Sequence, residues 1–123
     1  MEVRGLVWLG VRTPHFKRTA SFYKDVLGLR PFQEDATSTR FRLSNGTEIH
    51  VYAPSDADHA FFGTAPVVGI LVDDIDEARA TMEAAGIEFM GPIQHEGGTS
   101  WNHFRGPDGN VYEIMSVGSD QLQ

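Results

Sequence analysis

The sequence predicts an α+β fold: two tandem βαβββ modules forming a curved mixed β-sheet around a central pocket, with helices on the outer face. Three observations predict it. Short apolar runs and a helical spacing follow one another in the order strand, helix, strand, strand, strand, and that order occurs twice. The repeat has a period of about 60 residues, aligning Val11 with Val72, Gly28 with Gly86 and Gly46 with Gly109. The 123 residues suit one domain able to bury a core without staples, and there are no cysteines to supply any.

In the first module, Leu6-Val7-Trp8-Leu9-Gly10-Val11 reads as a buried strand. Thr13 is placed to cap a helix that begins at Pro14, and Phe16, Ala20, Phe22, Tyr23, Val26 and Leu27 follow at helical spacing until Gly28 stops it. Strands are predicted over 29–34 and 39–43, a tight hairpin at Ser44-Asn45-Gly46, and a fourth strand from Glu48 to Tyr52. Residues 53–65 are rich in Pro, Ser, Asp and Gly. Phe61 and Phe62 inside that connector predict that it packs back, over a pocket mouth or onto a partner.

The second module repeats the scheme. Val67 to Val72 is an apolar strand, and Asp73-Asp74-Ile75-Asp76 is an acidic helix start suited to the helix dipole. Ile75, Ala78, Met82 and Ala85 make one apolar stripe, ended by Gly86. Residues 87–90 are expected as a strand, 95–100 as a polar loop, 101–105 as a strand and Val111 to Val117 as the last. The expected organisation is module one over 1–53, connector 54–65, module two over 66–117 and a frayed tail over 118–123.

Ten Lys and Arg stand against seventeen Asp and Glu, a net charge of −7. A field of that sign repels phosphate backbones and anionic lipids, which argues against nucleic-acid and membrane partners. No apolar run approaches the roughly 20 residues that span a bilayer. The residues after Met1 do not read as a signal peptide, so a cytoplasmic protein is expected. Without thiolates, any metal would be held by His, Asp, Glu or backbone oxygen, which suits Zn, Ni, Mn or Fe.

Strand alternation picks out the chemistry. Glu48, His50 and Tyr52 share one parity, and so do Glu113 and Met115. His50 and Glu113 each lie four residues after a hairpin glycine, and are therefore equivalent under the repeat. Trp101 and His103 share a parity expected to point the same way. His50, His103 and Glu113 form a two-histidine, one-carboxylate set that suits a divalent metal. The same residues also suit a hydrogen-bonded polar pair that orients a ligand. Trp8, Tyr52, Trp101, His103 and Met115 are candidate substrate-binding walls, and His50 and Glu113 the candidate catalytic groups.

The stretch Phe22-Tyr23-Lys24-Asp25-Val26-Leu27-Gly28-Leu29 resembles the helix-to-strand signature of the vicinal oxygen chelate superfamily. The stretch His103-Phe104-Arg105-Gly106-Pro107-Asp108-Gly109-Asn110-Val111-Tyr112-Glu113-Ile114 resembles its closing hairpin. That superfamily includes glyoxalase I, bleomycin and fosfomycin resistance proteins, extradiol dioxygenases and methylmalonyl-CoA epimerase. The resemblance implies a metal ligand from the first and last strand of each half, positions that fall here on Leu6, His50, Val67 and Glu113. Leu6 and Val67 cannot ligate. It implies a glyoxalase-like or bleomycin-resistance-like protein acting on a small molecule. One form is a metal-dependent lyase, isomerase or dioxygenase with a vicinal-oxygen substrate. The others are a metal-free drug- or metabolite-sequestering protein and a metal-free enzyme with Glu113 as base and His50 or His103 as acid. A homodimer is expected, since pairing covers an open sheet edge.

Overall fold

The computed structural model describes residues 1–63 and 66–118. From Ser119 onward, the tail expected to fray lies outside the described residues, as do positions 64 and 65 at the end of the connector. The fold is α+β, with both parallel and antiparallel strand pairs. The chain forms two compact units, Trp8–Val67 and Met1–Val7 together with Val68–Gln123.

The Trp8–Val67 unit takes in the end of β1 (Val3–Arg12), α1 (Phe16–Ser21), β2 (Pro31–Glu34), β3 (Ser38–Arg42) and β4 (Glu48–Tyr52), in sheet order β2-β3-β4-β1. β1 runs parallel to β4, and the hairpin partners run antiparallel. Phe41, Ile49 and Val51 form the core, joined by Leu9, Phe16, Tyr23, Leu29 and Leu43. The odd residues of β4 therefore face the helix, and Glu48, His50 and Tyr52 face the other way.

The helix departs from its predicted course at both ends. It starts at Phe16 with His15 in the capping position, and Thr13 instead accepts the His15 backbone N–H at 3.1 Å. After Ser21 the chain opens into a π-helical turn over Phe22–Val26, in which Leu27 N–H donates to Phe22 O at 3.1 Å. That wider turn breaks the 3.6-residue register. Tyr23 reaches the core, whereas Phe22, Val26 and Leu27 stand exposed. Gly28 closes the segment in the left-handed region at φ +71°, with Leu29 N–H donating to Tyr23 O.

The second unit contains β5 (Val67–Val72) from Val68 on, α2 (Ile75–Ala84), β6 (Gln94–Glu96), β7 (Thr99–Arg105) and β8 (Val111–Val117), in order β5-β8-β7-β6. Asp74 caps α2 by accepting the Glu77 N–H at 3.1 Å. The apolar stripe behaves as predicted: Ile75 and Ala78 are buried with Val72, Phe104 and Ile114, and Met82 packs on them. Two segments differ from expectation. Residues 87–90 make only one bridge, Phe89 to Phe104, so they are not a full strand. Residues 95–100 are not a loop. Gln94–Glu96 pairs with the start of β7 across Gly97 and Gly98, both at positive φ, the backbone a tight hairpin demands. No helix among the described residues is long and apolar enough to cross a membrane.

Candidate functional site

Strand register places chemically similar rows in the two units. In one, Gly10 lies beside His50, and His50 beside Arg40. In the other, Gly69 lies beside Glu113, and Glu113 beside His103. Each row reads glycine, ionisable, ionisable across three strands. This is the equivalence of His50 and Glu113 that the hairpin spacing predicts.

In the second unit, His103 Nε2 lies 2.8 Å from Glu113 Oε2. Glu113 is 4% exposed. A carboxylate so deeply buried needs a polar group beside it, and the His103 ring is set against it. The pair can hold, accept and return one proton away from bulk water. One row further on, Trp101 stands beside Met115, both half-buried.

In the Trp8–Val67 unit, His50 is 8% exposed and bonded at both ring nitrogens. Nδ1 meets the Tyr52 hydroxyl at 2.8 Å, and Nε2 meets Glu48 Oε1 at 2.8 Å. Arg42 Nη2 donates to the other Glu48 oxygen at 2.8 Å. The His50 hydrogen bond, with that of Arg42, holds the Glu48 carboxyl below its ordinary range. Trp8 sets its ring edge-on to His50 with centroids 5.2 Å apart. The connector folds back as predicted. His59 stacks on Tyr52 at 3.7 Å, Phe62 packs against Trp8 and Tyr52, and Asp56 Oδ1 lies 3.0 Å from His59 Nδ1.

The structure thus brings His103 to Glu113, and gathers Trp8, His50 and Tyr52 in the other unit. Sequence reasoning missed Glu48 as a partner of His50, Arg42 on the far side of Glu48, and His59 stacked on Tyr52. The shared parity of Glu48, His50 and Tyr52 was the available signal.

Both nitrogens of His50 are engaged by protein groups. Leu6 and Val67 offer no donor atoms. Among the described residues, no group of three or more His, Cys, Asp or Glu side chains is arranged to hold a metal ion. As arranged, the residues do not fit a centre with about three protein ligands.

Residues 5–114 match the model of the Glyoxalase/Bleomycin resistance protein/Dioxygenase superfamily, and the chain belongs to that superfamily. Solved structures of the same fold include methylmalonyl-CoA epimerase from Mycobacterium tuberculosis, with TM-score 0.71 and 16% identity over 96% of this chain and 91% of that one. A superfamily member from Vibrio splendidus 12B01 matches with TM-score 0.64 and 17% identity over 94% and 99%. The Mn(II)-bound glyoxalase from Novosphingobium aromaticivorans matches with TM-score 0.67 and 26% identity, over 95% of this chain but 39% of that one. No curated protein matches the sequence.

Proposed function

We propose that this protein binds a small vicinal-oxygen metabolite and moves a proton on it, as an isomerase or lyase, with Glu113 as base and His103 as its acid partner. The buried 2.8 Å contact between those two side chains carries the reading. Glu113 takes the proton from a carbon next to a carbonyl, and the electron pair passes to the carbonyl oxygen as an enolate. Returning the proton to the same or the opposite face completes an isomerisation. The likeness to methylmalonyl-CoA epimerase supports the fold for such chemistry. Trp101 and Met115, one row along the same two strands, are proposed as walls for the bound molecule.

Solvent-deuterium wash-in, followed by NMR over a panel of acyl thioesters and α-hydroxy ketones, tests the proposal. Glu113→Gln is expected to slow exchange at least ~100-fold. Exchange at the native rate in that variant overturns the base assignment. Saturable binding with no exchange in the native protein replaces catalysis with drug or metabolite sequestration.

A divalent-metal-dependent reading is favoured by one observation, the 26% identity with the Mn(II)-bound glyoxalase. It requires His50 to give up Tyr52 or Glu48, since both of its ring nitrogens are engaged. Titration with Zn, Ni, Mn and Fe salts, read by metal content after desalting, checks it; a stoichiometry near zero removes it. We also propose a homodimer, supported by the exposed apolar side chains of Phe22, Val26, Leu27 and Phe32.

A further inference from the structure

The sheet face of the Trp8–Val67 unit turned away from α1 bears three arginines. Register sets Arg12 beside Tyr52, Arg40 beside His50 and Arg42 beside Glu48, so all three share the face of the β4 polar residues. Arg42 is accounted for: it pairs with Glu48 and lies 4.3 Å over the Phe32 ring. Arg12 and Arg40 are not. The Nε atoms of both are shut off from solvent and have no hydrogen-bond acceptor among the described residues. Arg12 Nη2 donates to Pro54 O at 2.8 Å, a neutral acceptor. Carboxylates of the same unit serve other donors: Asp35 takes Thr37 and Ser38, Glu48 takes His50 and Arg42, and Asp56 takes His59.

A guanidinium cannot shed its proton to escape burial, and a buried donor without an acceptor is unfavourable. Two such groups flanking one strand leave forked N–H donors with no anion among the described residues. We infer that Arg12 and Arg40 form a binding site for the oxyanion group, carboxylate or phosphate, of a small molecule. Guanidinium forks match the paired oxygens of either group. The site reverses the ligand charge suggested by the net charge of −7. An acidic chain as a whole favours cations, but a ligand within a few ångströms meets the local arginines first, and distant surface carboxylates are screened. The inference concerns residues separate from the His103–Glu113 pair and does not rest on the proton-transfer reading.

Isothermal titration of the full chain with malonate, inorganic phosphate and neutral malonamide tests it. Malonate or phosphate is expected to bind saturably and malonamide not at all, with the tighter anion identifying a carboxylate or a phosphate ligand. Arg12→Gln and Arg40→Gln should each weaken the anion at least ~10-fold. Arg40→Lys, which keeps the charge, should retain part of the affinity and guards against a folding artefact. Exposed Arg30→Gln should leave it unchanged. Equal binding of malonamide, full affinity in both glutamine variants, or no saturable binding of either anion up to about 10 mM overturns the site.

Discussion

Gly10 shows how one residue sets the packing around His50. Its missing side chain leaves the space taken by the rings of Trp8 and Phe62; an added Cβ would collide with Trp8 and come 2.9 Å from Phe62 Cε2. Gly10→Ala should therefore destabilise the protein by about 1–3 kcal/mol, as overpacked cores do, read as a shift in the urea midpoint. Asp35 makes a prediction in pH. Its carboxylate accepts the backbone N–H of Thr37 and of Ser38, which lowers its pKa from 3.8 to about 2. A carboxyl with a depressed folded pKa stabilises only while ionised. Its contribution is complete above the unfolded value and is lost as pH falls through the folded one. Asp35→Asn should then be less stable than the native protein near neutral pH, with the gap closing between about pH 4 and pH 2. Urea midpoints that stay equally far apart across that range would contradict it.

At the scale of elements, the caps and the turns decide where helices and strands begin. Removing the α2 cap with Asp74→Ala should cost about 1 kcal/mol, visible in chemical denaturation. The acidic run before α2 was readable because capping is a local matter of one oxygen and one N–H. The π-helical turn after α1 was not. Phe22, Val26 and Leu27 fit the helical period as well as Phe16 and Tyr23 do, and only the widened turn turns them outward. Strand β6 escaped notice for a related reason. Gln94, His95 and Glu96 are all exposed, so no apolar alternation marks them, and only the Gly97-Gly98 pair hinted at a hairpin.

For the whole molecule, the exposed apolar side chains on the π-helical turn and β2 carry the dimer prediction. Light scattering after gel filtration should give twice the chain mass, and Val26→Glu should halve it while leaving the circular dichroism unchanged. A native protein that runs at the single-chain mass refutes this. The charge of the molecule teaches a complementary lesson. A net value averages over a surface, and the face holding Arg12 and Arg40 has the opposite sign to that average.

The sequence alone determined the α+β class, the doubled strand-helix-strand order, the glycine stops at Gly28 and Gly86 and the parity of the site strands. Each of these depends on backbone angles or side-chain periods within a few neighbouring residues. The tertiary structure decided the rest: that His103 meets Glu113, that His50 is held between Tyr52 and Glu48, and that two arginine Nε groups lie buried without an acceptor among the described residues. Those outcomes depend on which strands lie side by side and in what register, and on the rotamers that packing then allows. Residues far apart in the chain acquire a pKa, a partner or an unmet charge only once that register exists.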